Sequence, residues 1–162
     1  TNMAHIIKPA VAILQEVKNS TTGANTLSST AWNDLVFNTV KGESWFVTGS
    51  FDGVGGTNTN FTLEAGTYEL SGFCPVYITD PAQMRLYDVT NSAVAAVGQS
   101  TYATSGANGF STCVIEHVFT ITSSTEFQME MWSYSGGYSG TSGGALGGVN
   151  NVYSQVKIRK LK

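Results

Sequence analysis

Two histidines, two cysteines and eleven acidic residues are the main groups in this 162-residue chain with acid–base, nucleophilic or metal-binding chemistry to offer. His117 alternates with Ile115 and Phe119, so two-residue periodicity directs it toward a core or an interface, where a histidine more often completes packing than catalyses. His5 stands apart near the start. Neither is spaced from a nucleophile, and there is no Gly-x-Ser-x-Gly elbow, no His-Glu-x-x-His pair and no Walker loop. Cys74 and Cys113 fit no metal-ligand or redox spacing. Paired carboxylates are the remaining enzymatic option, since two acids flanking a glycosidic bond suffice to hydrolyse it. Glu116 and Glu130 are expected on outward positions of neighbouring segments, and Asp80 and Asp88 flank one strand, but any β-rich chain offers two such acids. The chain is therefore expected to be non-enzymatic, with no cofactor and no metal.

Recognition chemistry is better represented than catalysis. Tyr102, Phe110, Trp132, Tyr134 and Tyr138 stand in or beside polar tracts, close to Asp80, Asn108, Asn150 and Asn151. Aromatic rings stack on the apolar C–H faces of sugars, while amides and carboxylates take the hydroxyls. The glycine tract 136–148, GGYSGTSGGALGG, lacks the Lys-Ser/Thr of a phosphate cradle and no helix follows it. Its mixture of Tyr, Ser, Gly and Thr is that of adaptable binding loops, and about eighteen residues without pattern inside a compact domain are usually functional or disordered.

The elements that must position these residues are strands. Only 12% of residues are Asp, Glu, Lys or Arg, about half the usual share, and helical surfaces are built from those types. In 61–77, FTLEAGTYELSGFCPVY, Tyr68, Leu70, Gly72, Cys74 and Val76 share one face and Glu69, Ser71 and Tyr77 the other. This stretch is predicted to be a hairpin turning at Glu64-Ala65-Gly66, with Gly66 supplying a positive φ. Further strands are predicted at 10–17, 45–51, 83–89, 93–98 and 152–161, an edge segment at 32–40, and a pair, 112–122 with 126–134, around Ser123-Ser124. The tracts 18–31, 53–60, 99–111 and 133–151 are predicted loops. Nine or ten short strands at regular spacing make an all-β sandwich or barrel. Tyr68, Leu70, Val76, Leu86, Val89, Ile115, Phe119, Ile121, Phe127, Met129, Val156 and Ile158 are predicted core or interface positions. Residues 1–9 read as a lead-in and 10–162 as one domain, large enough to bury a core without staples. The net charge of −3 is small, and basic residues gather only at Lys157, Arg159, Lys160 and Lys162, so no nucleic-acid stripe is present. No apolar run is long enough for a membrane helix and 1–8 lacks a signal core, so the chain is expected to be soluble as it stands.

The phrase around Leu63-Glu64-Ala65-Gly66-Thr67-Tyr68 resembles the C1q/TNF-like jelly-roll modules that end many bacteriophage tail fibres. The likeness continues in 84–90, MRLYDVT, in 118–121, VFTI, and in 153–158, YSQVKI, in the same order. It implies a jelly-roll β-sandwich of two antiparallel sheets with four to five strands each, termini together, and the loops 18–31, 79–83, 99–111 and 133–151 at the far end. It also implies a homotrimer meeting along the sheet that holds the first, the last and the 67–77 strands. Apolar residues on both faces of strands agree with a covered second face: Phe73 and Tyr77 opposite Cys74 and Val76, Val114 and Val118 opposite Ile115 and Phe119. The strands of Cys74 and Cys113 become neighbours, and in a reducing cytosol two buried thiols are favoured over a disulfide. The resemblance implies a receptor-binding tip of a phage fibre or spike, located on the virion beside other tail components. Its expected ligand is a host-surface polysaccharide or protein, bound by Asp80, Tyr102, Asn108, Phe110, Tyr134 and Tyr138. Nucleic-acid binding and membrane insertion are not expected. The alternatives are a structural trimerisation cap, a capsid-surface decoration, or a C1q-like adhesin outside any virus.

Overall fold

The computed structural model describes residues 10–77, 79–102, 109–139 and 148–162. Among them are thirteen strands and no helix. The first half of the chain supplies β1 (Ala10–Lys18), β2 (Asn25–Leu27), β3 (Ala31–Asp34), β4 (Thr39–Gly42), β5 (Val47–Thr48), β6 (Asn60–Leu63) and the long β7 (Gly66–Tyr77). The second half supplies β8 (Ala82–Asp88), β9 (Ala93–Thr101), β10 (Phe110–Ile121), β11 (Thr125–Ser133), β12 (Gly137–Ser139) and β13 (Asn151–Lys160). Two antiparallel sheets result. The first runs β2-β12-β7-β13-β1-β4, with β10 on the other edge of β7. The second runs β5-β6-β11-β8-β9, with β3 continuing the β6 edge of β11.

The core lies between the sheets and is filled by the inward half of each alternating strand. Tyr68, Leu70, Cys74 and Val76 of β7, Val156 and Ile158 of β13, and Ala12 and Leu14 of β1 face Phe61, Leu63, Leu86, Phe127, Met129 and Met131, all buried. Aromatic rings bridge the layers: Phe127 meets Phe119 edge-on at 5.6 Å, and Phe119 lies 5.7 Å from Tyr68. Phe119 and Ile121 are partly buried against this core, and Val89 is half-buried. Nearly every predicted core position is therefore where alternation puts it.

Pairing differs from expectation in two places. The 61–77 stretch is no hairpin: β6 pairs with β5 and β11, β7 with β10, β12 and β13, so Glu64-Ala65 is a corner that carries the chain from one sheet to the other. Gly66 does not have a positive φ. Its need for glycine is space, because a Cβ there would meet the Lys162 carbonyl oxygen at 2.8 Å. Likewise β10 and β11 do not pair but lie in opposite sheets. In both cases each strand buries one apolar face, and two such faces opposed across a core satisfy the pattern as well as two strands side by side. Glu116 and Glu130 consequently sit on the outer faces of different sheets, not on neighbouring segments.

Smaller departures follow the same logic. The predicted loop 18–31 contains β2, and the tract 133–151 contains β12, which pair with each other and extend the first sheet at one end. The 45–51 segment forms only the two-residue β5. β9 and β10 run into the expected 99–111 loop and shorten it. The lead-in 1–9, with His5, lies outside the described residues.

Candidate functional site: the far end of the sandwich

The register fixes which end is which. Ala10 of β1 pairs with Lys160 of β13, and Gly66 of β7 with Ile121 of β10, so both described ends of the chain lie at one pole. At the other pole Lys18 pairs with Asn151 and Tyr77 with Phe110. Here the connections β7–β8, β9–β10 and β11–β12 converge.

Backbone hydrogen bonds stitch them together. The Tyr134 amide donates to the Pro81 carbonyl at 3.2 Å, the Thr30 amide to the Tyr134 carbonyl at 3.2 Å, and the Asp80 amide to Ser135 Oγ at 3.1 Å. The Asp80-Pro81 bond is cis. Thr101 and Ser111 hydroxyls hydrogen-bond across the mouth of the β9–β10 connection. On this frame Tyr102 is 63%, Phe110 57% and Tyr134 59% exposed. Tyr102 hydrogen-bonds Asp80, and that bond, with the carboxylate's charge, holds the phenol above its ordinary pKa. Tyr77 is the hub that sequence reading missed. It stacks 4.8 Å from Phe110 and 6.2 Å from Tyr138, and β12 pairs with β7 at Tyr138 and Tyr77. The signal for it was present: Tyr77 is the last outward residue of β7, where the strand leaves the sheet. Five of the six predicted binding residues are thus gathered at this pole, and Asn108 lies outside the described residues.

Phe110 has a second allegiance. Along β10 it alternates outward with Val114 and Val118, which are 39% and 59% exposed. Opposite them on β7 are Phe73 and Tyr77, and further across lie Gln155, Lys157 and Arg159 of β13 and Ile13 of β1. This outer face holds two shallow hollows of about 280 and 350 Å³. Val114 and Val118 stand exposed on either side of Glu116, on a face that also carries Phe73, Ser71 and Lys157. An exposed Glu69–Arg159 pair at 3.3 Å marks its polar margin.

Most of the residues with catalytic potential are engaged in pairing or packing, while Glu116 is exposed on the outer face of β10. Glu130 is ion-paired with Arg85, whose guanidinium lies 4.0 Å from the Trp32 ring and 4.9 Å from that of Tyr87. Trp132, expected beside the far loops, stands at the far-pole end of β11, paired with Gln83 and across from Trp32 on the outer face of the second sheet, at 5.7 Å. Asp88 caps the following turn through the Asn91 amide. His117 stacks on Phe119 at 6.0 Å. Cys74 and Cys113 are directly opposed and unbonded, and burial pushes the Cys113 thiol up to about 12 and raises Cys74 as well, so neither supplies a thiolate at neutral pH.

No protein-family model matches the chain, and no curated protein matches its sequence. Solved structures do resemble it. Murine APRIL superposes with a TM-score of 0.60 at 11% identity, covering 95% of this chain and 100% of that one. The globular domain of zebrafish complement 1qA gives 0.58 at 11% identity, over 96% of this chain and 98% of that one. Eiger TNF from S. frugiperda gives 0.56 at 11% identity, over 96% and 94% respectively. At such identities the shared property is the architecture: this chain is a C1q/TNF-like jelly-roll β-sandwich.

Proposed function

We propose that the chain is a non-enzymatic, homotrimeric receptor-binding head, of the kind that tips a bacteriophage tail fibre or spike, and that its far pole binds a glycan on the host surface. The observation that carries this reading is the set of exposed rings at the pole opposite the described chain ends. Tyr102 and Tyr134 contribute nothing to the core, and Asp80 beside them offers a hydrogen-bonding carboxylate. That combination suits a sugar's apolar face and hydroxyls. The exposed Val114 and Val118 support the trimer, since copies arranged about a threefold axis cover such a face by closing a ring. Phe110 would then lie where the covered face meets the pole, so the binding surface is shared between adjacent subunits. Three weak sites on one head reinforce one another through effective concentration.

Binding of the labelled protein to an array of bacterial surface polysaccharides tests this reading. Saturable binding to a subset is expected, lost in Y102A/Y134A while molecular mass and melting temperature hold. A head that binds no polysaccharide, or whose binding ignores both tyrosines, would instead favour a structural cap.

A further inference from the structure

The outer face of the second sheet carries side chains that the core does not use. Alternation points Gln128, Glu130 and Trp132 of β11 away from the core, with Trp32 and Asp34 of β3 on one side and Gln83, Arg85 and Tyr87 of β8 on the other. Trp32, Trp132, Tyr87, Arg85 and Gln128 are only half-buried and Asp34 is exposed, so each keeps surface open to a ligand. Arg85 Nε donates to Glu130, and the guanidinium is flanked by the Trp32 and Tyr87 rings. Ion pair and rings hold it in place, while its terminal nitrogens remain as donors. Gln128 Nε2 donates to Asn60 Oδ1 at 2.7 Å and to Asp34 Oδ2 at 3.4 Å, which leaves the Gln128 carbonyl to accept. Sheet stability accounts for one cross-strand ring pair. Three rings, a clamped guanidinium and a relay of side-chain amides on one face exceed that need.

This face runs into the far pole without a break. Two residues beyond Trp132 stands Tyr134, whose amide and carbonyl carry the pairing of β11 on to Pro81 and Thr30. From Tyr134 past Trp132 to the level of Gln128 and Tyr87 the distance is about 20 Å at the rise of an antiparallel strand. Rings therefore recur along one line, first Tyr134, then Trp132 beside Trp32, then Tyr87, with hydrogen-bonding groups between them. That arrangement suits a linear chain of sugars, whose apolar faces stack on rings and whose hydroxyls meet amide, carboxylate and guanidinium groups. Charge selects among such chains. Asp34, Glu126 and Glu130 face outward on β3 and β11 against the single cation Arg85 on β8, so an anionic polymer is repelled and a neutral one is not. We propose, resting on the polysaccharide reading of the pole, that the outer face holds further units of the same chain: the ligand is an internal stretch of a neutral polysaccharide, not a terminal sugar.

The three tryptophans report by position: Trp32 and Trp132 lie on the face, while Trp45, beside Lys160, lies at the pole of the described chain ends. Indole ¹H–¹⁵N spectra of the intact protein are titrated with maltose, cellobiose, laminaribiose, chitobiose and mannobiose, with the corresponding hexasaccharides, and with hexagalacturonate as the anionic control. At least one neutral hexasaccharide is expected to shift the Trp32 and Trp132 indoles saturably, leave Trp45 unmoved, and bind about tenfold tighter than its disaccharide through the added ring contacts. W132A should remove that gain and leave the disaccharide's affinity unchanged. The Tyr87 ring stands outside the core, so Y87A should remove part of the gain, which keeps the proposal testable if W132A does not fold. Y102A/Y134A should weaken both lengths alike. Unmoved Trp32 and Trp132 indoles with every neutral hexasaccharide, equal affinity for the two lengths, unaltered hexasaccharide affinity in W132A or Y87A, or preference for hexagalacturonate would overturn it. Any of those results beside array binding that is lost in Y102A/Y134A leaves the pole reading standing. Array binding that ignores both tyrosines, beside hexasaccharide shifts lost in W132A, sinks the pole reading and keeps the outer face.

Discussion

Tyr134 and Tyr138 are indistinguishable in the sequence, both tyrosines in a glycine-rich polar tract, yet the fold uses them differently. Tyr134 has its ring in solvent, and only its backbone is engaged. Tyr138 is half-buried, pairs with β7 and faces Tyr77. Y134A is therefore expected to cost binding alone, whereas Y138A should also lower stability by about 1 kcal/mol, the worth of an aromatic pair; urea unfolding separates the two. Glu16 carries a prediction of pH dependence. Burial raises its pKa above the ordinary 4.5, and Lys18, by charge and hydrogen bond, and Asn25, by hydrogen bond, lower it only partly. Cys74 stands within electrostatic reach but stays a neutral thiol. The folded state thus binds the proton more tightly than the unfolded one, so Glu16 is least costly below pH 4.5, and stability declines as pH rises from there through the folded value. E16Q should abolish this decline in unfolding free energies measured from pH 4 to 8; an unaltered slope would place Glu16 in ordinary solvent.

At the scale of elements, strand positions and faces were legible and strand partners were not. Period-two alternation in β7 and β10 identified Tyr68, Leu70, Val76 and Ile115 as inward and Val114 and Val118 as outward, because one substituent per residue alternates sides whatever the neighbouring strand. Partner choice rests on which buried faces oppose one another, so the corners at 64–65 and 123–124 look like hairpin turns from sequence. The short β2 and β12 were hidden for a related reason: three residues hold too little alternation, and their pairing depends on the β7 end and Tyr77. Glu16 escaped notice because a lone acid in an apolar run reads as a solvated edge position. Gly98 shows what pairing adds. A Cβ there would lie 2.4 Å from the Val114 carbonyl oxygen, where β9 leans on β10 at the sandwich edge. G98A is expected to destabilise by ~1–3 kcal/mol, as overpacked sites do, without altering strand content. A neutral substitution by urea unfolding would mean that this edge is open.

For the whole molecule, the proposed trimer ties the uncovered face to the binding pole. Val114, Val118 and Phe73 would be enclosed between subunits, Phe110 would crown the seam, and Tyr102, Tyr134 and Asp80 would surround it. F110A should therefore weaken both association and binding, unlike Y134A, and the comparison is made by measuring mass and polysaccharide binding on the same samples. Val118 is 59% exposed in the single chain, so V118D should leave the subunit fold intact while placing a charge in the seam, where an unpaired carboxylate is costly. Sedimentation equilibrium at micromolar concentration tests the trimer most directly. The expected mass is three times the 17.2 kDa of the chain, falling to a single chain in V118D. A wild-type mass of one chain would leave Val114 and Val118 bare and contradict both the trimer and the shared binding surface.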